Sequence, residues 1–108
     1  MSVVRFILIF GFALSVLSGA ATAAGDAVVG EEVARQLCIE CHNVEADGPF
    51  KLHPPSFASI AVYRSPEDIY GRILFPPLHS NMPQLGFMLT PETVENIIAY
   101  ITSLEKND

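Results

Sequence analysis

The chain has 108 residues, half of them apolar, with 12 acidic side chains against 6 basic ones. Its first residues hold one basic group, Arg5, an apolar run from Phe6 to Leu17, and the small-residue stretch Ser18-Gly19-Ala20-Ala21-Thr22-Ala23-Ala24. That run is too short for a membrane-spanning helix, which needs about 20 apolar residues. One basic residue, a short apolar core and an Ala-x-Ala exit are the features of a secretory signal peptide. Cleavage is expected after Ala23, with Ala24 next best, so that 1–23 is the signal and 24–108 the exported domain. A domain this small lies near the size at which a core alone gives marginal stability. Multi-domain enzymes, solenoids and channels are excluded.

Within 24–108 the basic residues are Arg35, Lys51, Arg64, Arg72 and Lys106, against 12 acidic ones, a net charge of about −7. Binding to nucleic acid needs the opposite sign, to displace counterions from phosphates. Partners are expected to carry basic docking patches, and no stable membrane insertion is expected once the signal is removed.

The helical expectations run in chain order. A first helix spans about Val29 to Cys38, with Val29, Val33 and Leu37 on one stripe. A loop from Asn43 to Pro55 follows, broken by Gly48-Pro49 and Pro54-Pro55. A short helix fits Ser56–Tyr63. Ser65-Pro66-Glu67-Asp68 starts a third, with a capping Ser, Pro in the first turn and acids behind it. It carries Ile69, Tyr70, Ile73 and Leu74 until Pro76-Pro77 stop it. Residues 76–89 form an irregular loop, and Thr90-Pro91-Glu92 opens a last helix with the stripe Val94, Ile97, Ile98, Ile101 and Leu104. No window alternates as a strand would, so the class is all-α.

The two cysteines, Cys38 and Cys41, would close too small a loop to staple the domain as a disulfide. Cys38-x-x-Cys41-His42 is instead the c-type haem attachment pattern. Two thiols three positions apart on a helical turn reach the two vinyl groups of a haem, and the adjacent His projects toward the iron. Three other readings compete. A thioredoxin-like redox pair wants a preceding strand and a βαβ context, half a zinc site would need His53 or His79 to complete it, and a purely structural pair needs no partner. A covalent haem would also supply the apolar bulk that so small a core lacks.

Candidates for the second axial ligand are Met82, Met88, His53 and His79. Met82 is favoured, because it lies in the Pro-bounded setting Asn81-Met82-Pro83, stiff enough to cross the far face of a ring. Met88 is expected to pack near the last helix.

These residues resemble the small bacterial class I cytochromes c. Three blocks carry the resemblance: Gly30-x7-Cys38-x-x-Cys41-His42; Pro54-Pro55-Ser56-Phe57-Ala58-Ser59-Ile60-Ala61; and Asn81-Met82-Pro83 with Thr90-Pro91-Glu92 and Ile98-Ala99-Tyr100-Ile101-x-x-Leu104. The resemblance implies the small cytochrome c fold, four short helices around one covalently attached haem c per chain. It implies that Cys38 and Cys41 are the thioether anchors, His42 the proximal ligand and Met82 the distal one. Pro55, ahead of Pro49 and Pro54, is implied as the residue whose carbonyl accepts the Nδ1–H of His42. Gly30 and Tyr100 are implied as the close-contact pair of the first and last helices. Ala34 stands where many relatives have an aromatic, and His53 is expected to face solvent or a haem propionate. The lysine ring with which some relatives dock is absent.

The function implied is non-enzymatic: a periplasmic carrier of single electrons between redox proteins. The alternatives are the small haem subunit of a periplasmic dehydrogenase complex, or a haem-based sensor with a labile sixth position.

Overall fold

Each helix of the domain begins on a side-chain cap. The structure, a computed structural model, describes residues 25–105, so the expected signal peptide lies outside it. The helices are α1 (Ala27–Leu37), α2 (Phe57–Tyr63), α3 (Pro66–Leu74) and α4 (Pro91–Ser103), capped by Asp26, Ser56, Ser65 and Thr90. No strand occurs among the described residues; an isolated bridge joins Leu52 and Pro55. The fold is all-α.

Three of the four starts fall where the sequence puts them. The first does not: α1 begins two residues early, because the Asp26 carboxylate accepts from the backbone N–H groups of Val28 and Val29. Its buried face also differs from the expected stripe. Val29 and Leu37 are exposed and Val33 is half-buried, while Gly30 and Ala34 are buried.

The reason is the crossing with α4, against which α1 makes its main contact. A β-carbon on Gly30 would lie 1.8 Å from the carbonyl oxygen of Asn96. Only small residues fit where two backbones come this close, and the apolar side chains on either side of them are left at the rim. Asn96 also takes the N–H of Asp26 on its side-chain oxygen at 2.7 Å. Of the expected α4 stripe Val94, Ile97 and Ile101 are buried and Ile98 and Leu104 half-buried, while Tyr100, outside that stripe, is buried too. α2 and α3 pack on α4 with Phe57, Ala61, Ile69 and Ile73. α4 is thus the beam against which the other three helices rest.

Candidate functional site

The backbone does not stop turning where α1 ends. The N–H of Cys38 donates to the carbonyl of Ala34 (2.9 Å), and those of Cys41 and His42 to the carbonyl of Cys38 (3.2 and 2.9 Å). One turn therefore carries both thiols and the imidazole. Cys38 is half-buried against the apolar core and Cys41 is exposed, and both are free thiols. Burial pushes the Cys38 thiol up to about 11, so it stays neutral near pH 7.

His42 Nδ1 lies 2.6 Å from the carbonyl oxygen of Pro55. A carbonyl only accepts, so Nδ1 carries the proton and Nε2, across the ring, keeps its lone pair. The imidazole also packs against Phe57, ring centroids 5.7 Å apart, and Phe57 in turn meets Tyr100 at 6.2 Å.

The segment after His42 is held from three directions. Phe57 N–H donates to the Asn43 carbonyl at 2.9 Å. The buried Tyr100 hydroxyl donates to the Val44 carbonyl at 2.6 Å, and burial raises the pKa of that phenol. Arg35 of α1 forks between Glu31 (2.8 Å) and Glu45 (2.9 Å). The two carboxylates hold the guanidinium above its ordinary range, and the hydrogen bond from Arg35 lowers the pKa of Glu45.

None of these supports is read from the sequence. Phe57 lies in the second block of the resemblance with no role assigned to it, Arg35 carries no motif, and the hydroxyl of Tyr100 finds its partner 56 residues away. At the crossing, a β-carbon on Gly30 would first meet the backbone of Asn96 and Ile97.

On the other loop, Met82 is half-buried and packs on the apolar cluster. The loop is braced across its span by the Gln84 side-chain amide, which donates to the Pro76 carbonyl at 3.3 Å. Met88 corrects the sequence reading: it is 59% exposed instead of packed. The turn from Leu85 to Met88 carries it outward, and Leu89 takes the place against the core. His79 is exposed, and His53 lines an open groove of about 350 Å³ with Tyr63 and Arg64. Among the described residues neither histidine joins the cysteines in a group able to hold a bare metal ion.

Exposed apolar side chains concentrate in the two loops beside these residues: Phe50 and Leu52 in one, Phe75, Leu78, Phe87 and Met88 about the other.

The chain is 35% identical to cytochrome c2 of Pararhodospirillum photometricum over 63 residues, 58% of this chain and 53% of that one. This similarity supports a small class I bacterial cytochrome c. The chain spans about half the length of the curated relative it matches. No family model matches it, and no solved structure does. The all-α architecture agrees with that relationship. No helix among the described residues is long and apolar enough to cross a membrane.

Proposed function

We propose that the protein carries one covalently attached haem c and passes single electrons between redox proteins of the periplasm, with no substrate chemistry of its own. The observation that carries this reading is the Cys38–His42 turn, with its two free thiols and an imidazole whose Nδ1 is already engaged by Pro55. The donor set suits the group. Cys38 and Cys41 would form the two thioethers, His42 Nε2 the proximal bond, and the thioether of Met82 the distal one. When bound, the haem supplies an iron that changes valence by one electron.

The work of the chain is orientation, exclusion and tuning. The His42–Pro55 hydrogen bond fixes the ring and raises its basicity. Phe57 closes the inner side of the imidazole. Met82 as the second iron ligand would favour the ferrous state and a raised potential, and with His42 would leave no site for oxygen or peroxide. Phe50, Leu52, Phe75, Leu78 and Phe87, exposed in the two loops, would suit a large apolar disc. A net charge of about −7 on residues 24–108 suits partners with basic docking patches. Residues 1–23 would direct export as a cleaved signal.

The test is a reduced-minus-oxidised spectrum of the periplasmically expressed protein together with its mass. The expected outcome is a six-coordinate c-type spectrum and a mature chain heavier by one haem. A mass without that addition refutes the reading.

A further inference from the structure

Among the described residues the buried polar side chains are Ser56 and Ser59, 0% and 1% exposed. Helix capping explains only part of this. The Ser56 hydroxyl caps α2 by accepting the N–H of Ser59 at 3.3 Å, whereas the Ser59 hydroxyl caps nothing. An alanine at 59 would serve α2 as well and bury no polar group.

The Ser59 hydroxyl instead closes a ring. Lys51 N–H donates to Ser56 Oγ (3.3 Å), the two hydroxyls lie 2.7 Å apart, and Ser59 Oγ donates to the Lys51 carbonyl (2.5 Å). Because Ser59 gives its proton to Lys51, Ser56 must donate to Ser59. Every member is satisfied, and no buried side-chain nitrogen or oxygen among the described residues lacks a partner.

The ring meets the candidate site through one peptide unit. The Lys51 carbonyl accepts a second hydrogen bond, from Ser56 N–H at 2.8 Å. That N–H shares its plane with the Pro55 carbonyl, and in a trans peptide the two point in opposite directions. One edge of the plane is therefore tied to Lys51, and the other presents the oxygen that His42 Nδ1 meets at 2.6 Å. The Ser59 hydroxyl steadies the acceptor that steadies the plane.

We propose that Ser56 and Ser59 are positioning residues for His42, aiming the Pro55 carbonyl and so setting how strongly the imidazole donates to the iron. This rests on the haem reading above. Loosening the plane weakens the hydrogen bond, lowers the basicity of the ring and stabilises the ferric state less, so the potential rises.

The experiment compares wild type, Ser59→Ala and Thr90→Ala holoproteins, the last removing a cap on α4 whose hydrogen bonds, to Thr93, are separate from the ring. Two quantities are read: the solvent-exchange rate of the His42 Nδ1 proton by NMR of the reduced protein, and the reduction potential. Ser59→Ala is expected to speed exchange about tenfold and to raise the reduced-to-oxidised ratio at fixed potential about threefold, roughly 28 mV at 59 mV per tenfold. Thr90→Ala should lower Tm and move neither. If Ser59→Ala lowers Tm but leaves exchange and potential unchanged, the serines are merely structural and the proposal falls. Should Ser59→Ala not accumulate, Ser56→Ala removes the other hydroxyl, and unchanged values there overturn the proposal equally. A wild-type chain that matures without haem refutes the function and this inference with it; a haem protein whose variants stay silent refutes the inference alone.

Discussion

Gly30 and Met82 illustrate two ways in which one residue constrains this molecule. Gly30 does so by lacking a side chain, since a β-carbon there would collide with the Asn96 backbone at 1.8 Å. That neighbour is main chain and cannot rotate away. Gly30→Ala should therefore destabilise the protein by about 1–3 kcal/mol, the usual cost of overpacking. For a domain of this size each kcal/mol lowers Tm by about 4–8 °C, which thermal denaturation would measure. Met82 is proposed to constrain by chemistry, as the second iron ligand. In the holoprotein Met82→Ala should abolish the weak sulfur-to-iron band at the red end of the ferric spectrum, lower the potential and let carbon monoxide bind the reduced form. Met88→Leu should change none of these, because Met88 lies exposed at the outer side of its turn. If the band survives the first substitution and vanishes in the second, the distal assignment is wrong.

Among the elements, helix starts are written locally and helix faces are not. Ser65-Pro66 and Thr90-Pro91 announce α3 and α4 because a capping hydroxyl and a proline at the first turn act within three residues. The buried face of α1 depends on what crosses it, which no local pattern contains. The same holds for the link between α1 and the segment after His42. Arg35 joins Glu45 across ten residues of sequence, and the exposure of the pair keeps its worth small. Its sign with pH is nevertheless determined. The hydrogen bond lowers the pKa of Glu45 from its ordinary 4.5, so the contribution is complete above about pH 4.5 and is lost as pH falls through the lower folded value. Wild type should thus melt slightly above Glu45→Gln near neutrality, and the gap should close on acidification. A gap equal at pH 3 and pH 7 would show that the pair contributes nothing through this carboxylate.

At the scale of the whole molecule, the proposed carrier would be steered to its partner by charge. Twelve acidic residues against five basic ones in 24–108 should speed association with a basic redox partner and make the on-rate fall as salt is added. Screening sets the range, since the Debye length shrinks from about 10 Å at 0.1 M to about 3 Å at 1 M. Stopped-flow rates over that interval check it. A flat or rising dependence would mean that association runs through the apolar residues of the two loops instead. Three helices lean on α4, and the two loops carry Phe50, Leu52, Phe75, Leu78, Phe87 and Met88 exposed. The chemistry-bearing residues sit in or beside them.

The sequence by itself determined what depends on near neighbours. The Cys38-x-x-Cys41-His42 turn, the capped starts of α2, α3 and α4, the stripe of α4 and the acidic balance are all set by residues a few positions apart. Only the tertiary structure decided that Phe57 lies against the ring of His42, that Tyr100 holds Val44, and that α1 buries Gly30 and Ala34 in place of its larger side chains. It also decided that Met88 turns outward while Leu89 packs. The physical reason is range: a cap or a turn acts over one helical turn, whereas a crossing of helices or a hydrogen bond spanning 13 or 56 residues exists only once the chain has closed on itself.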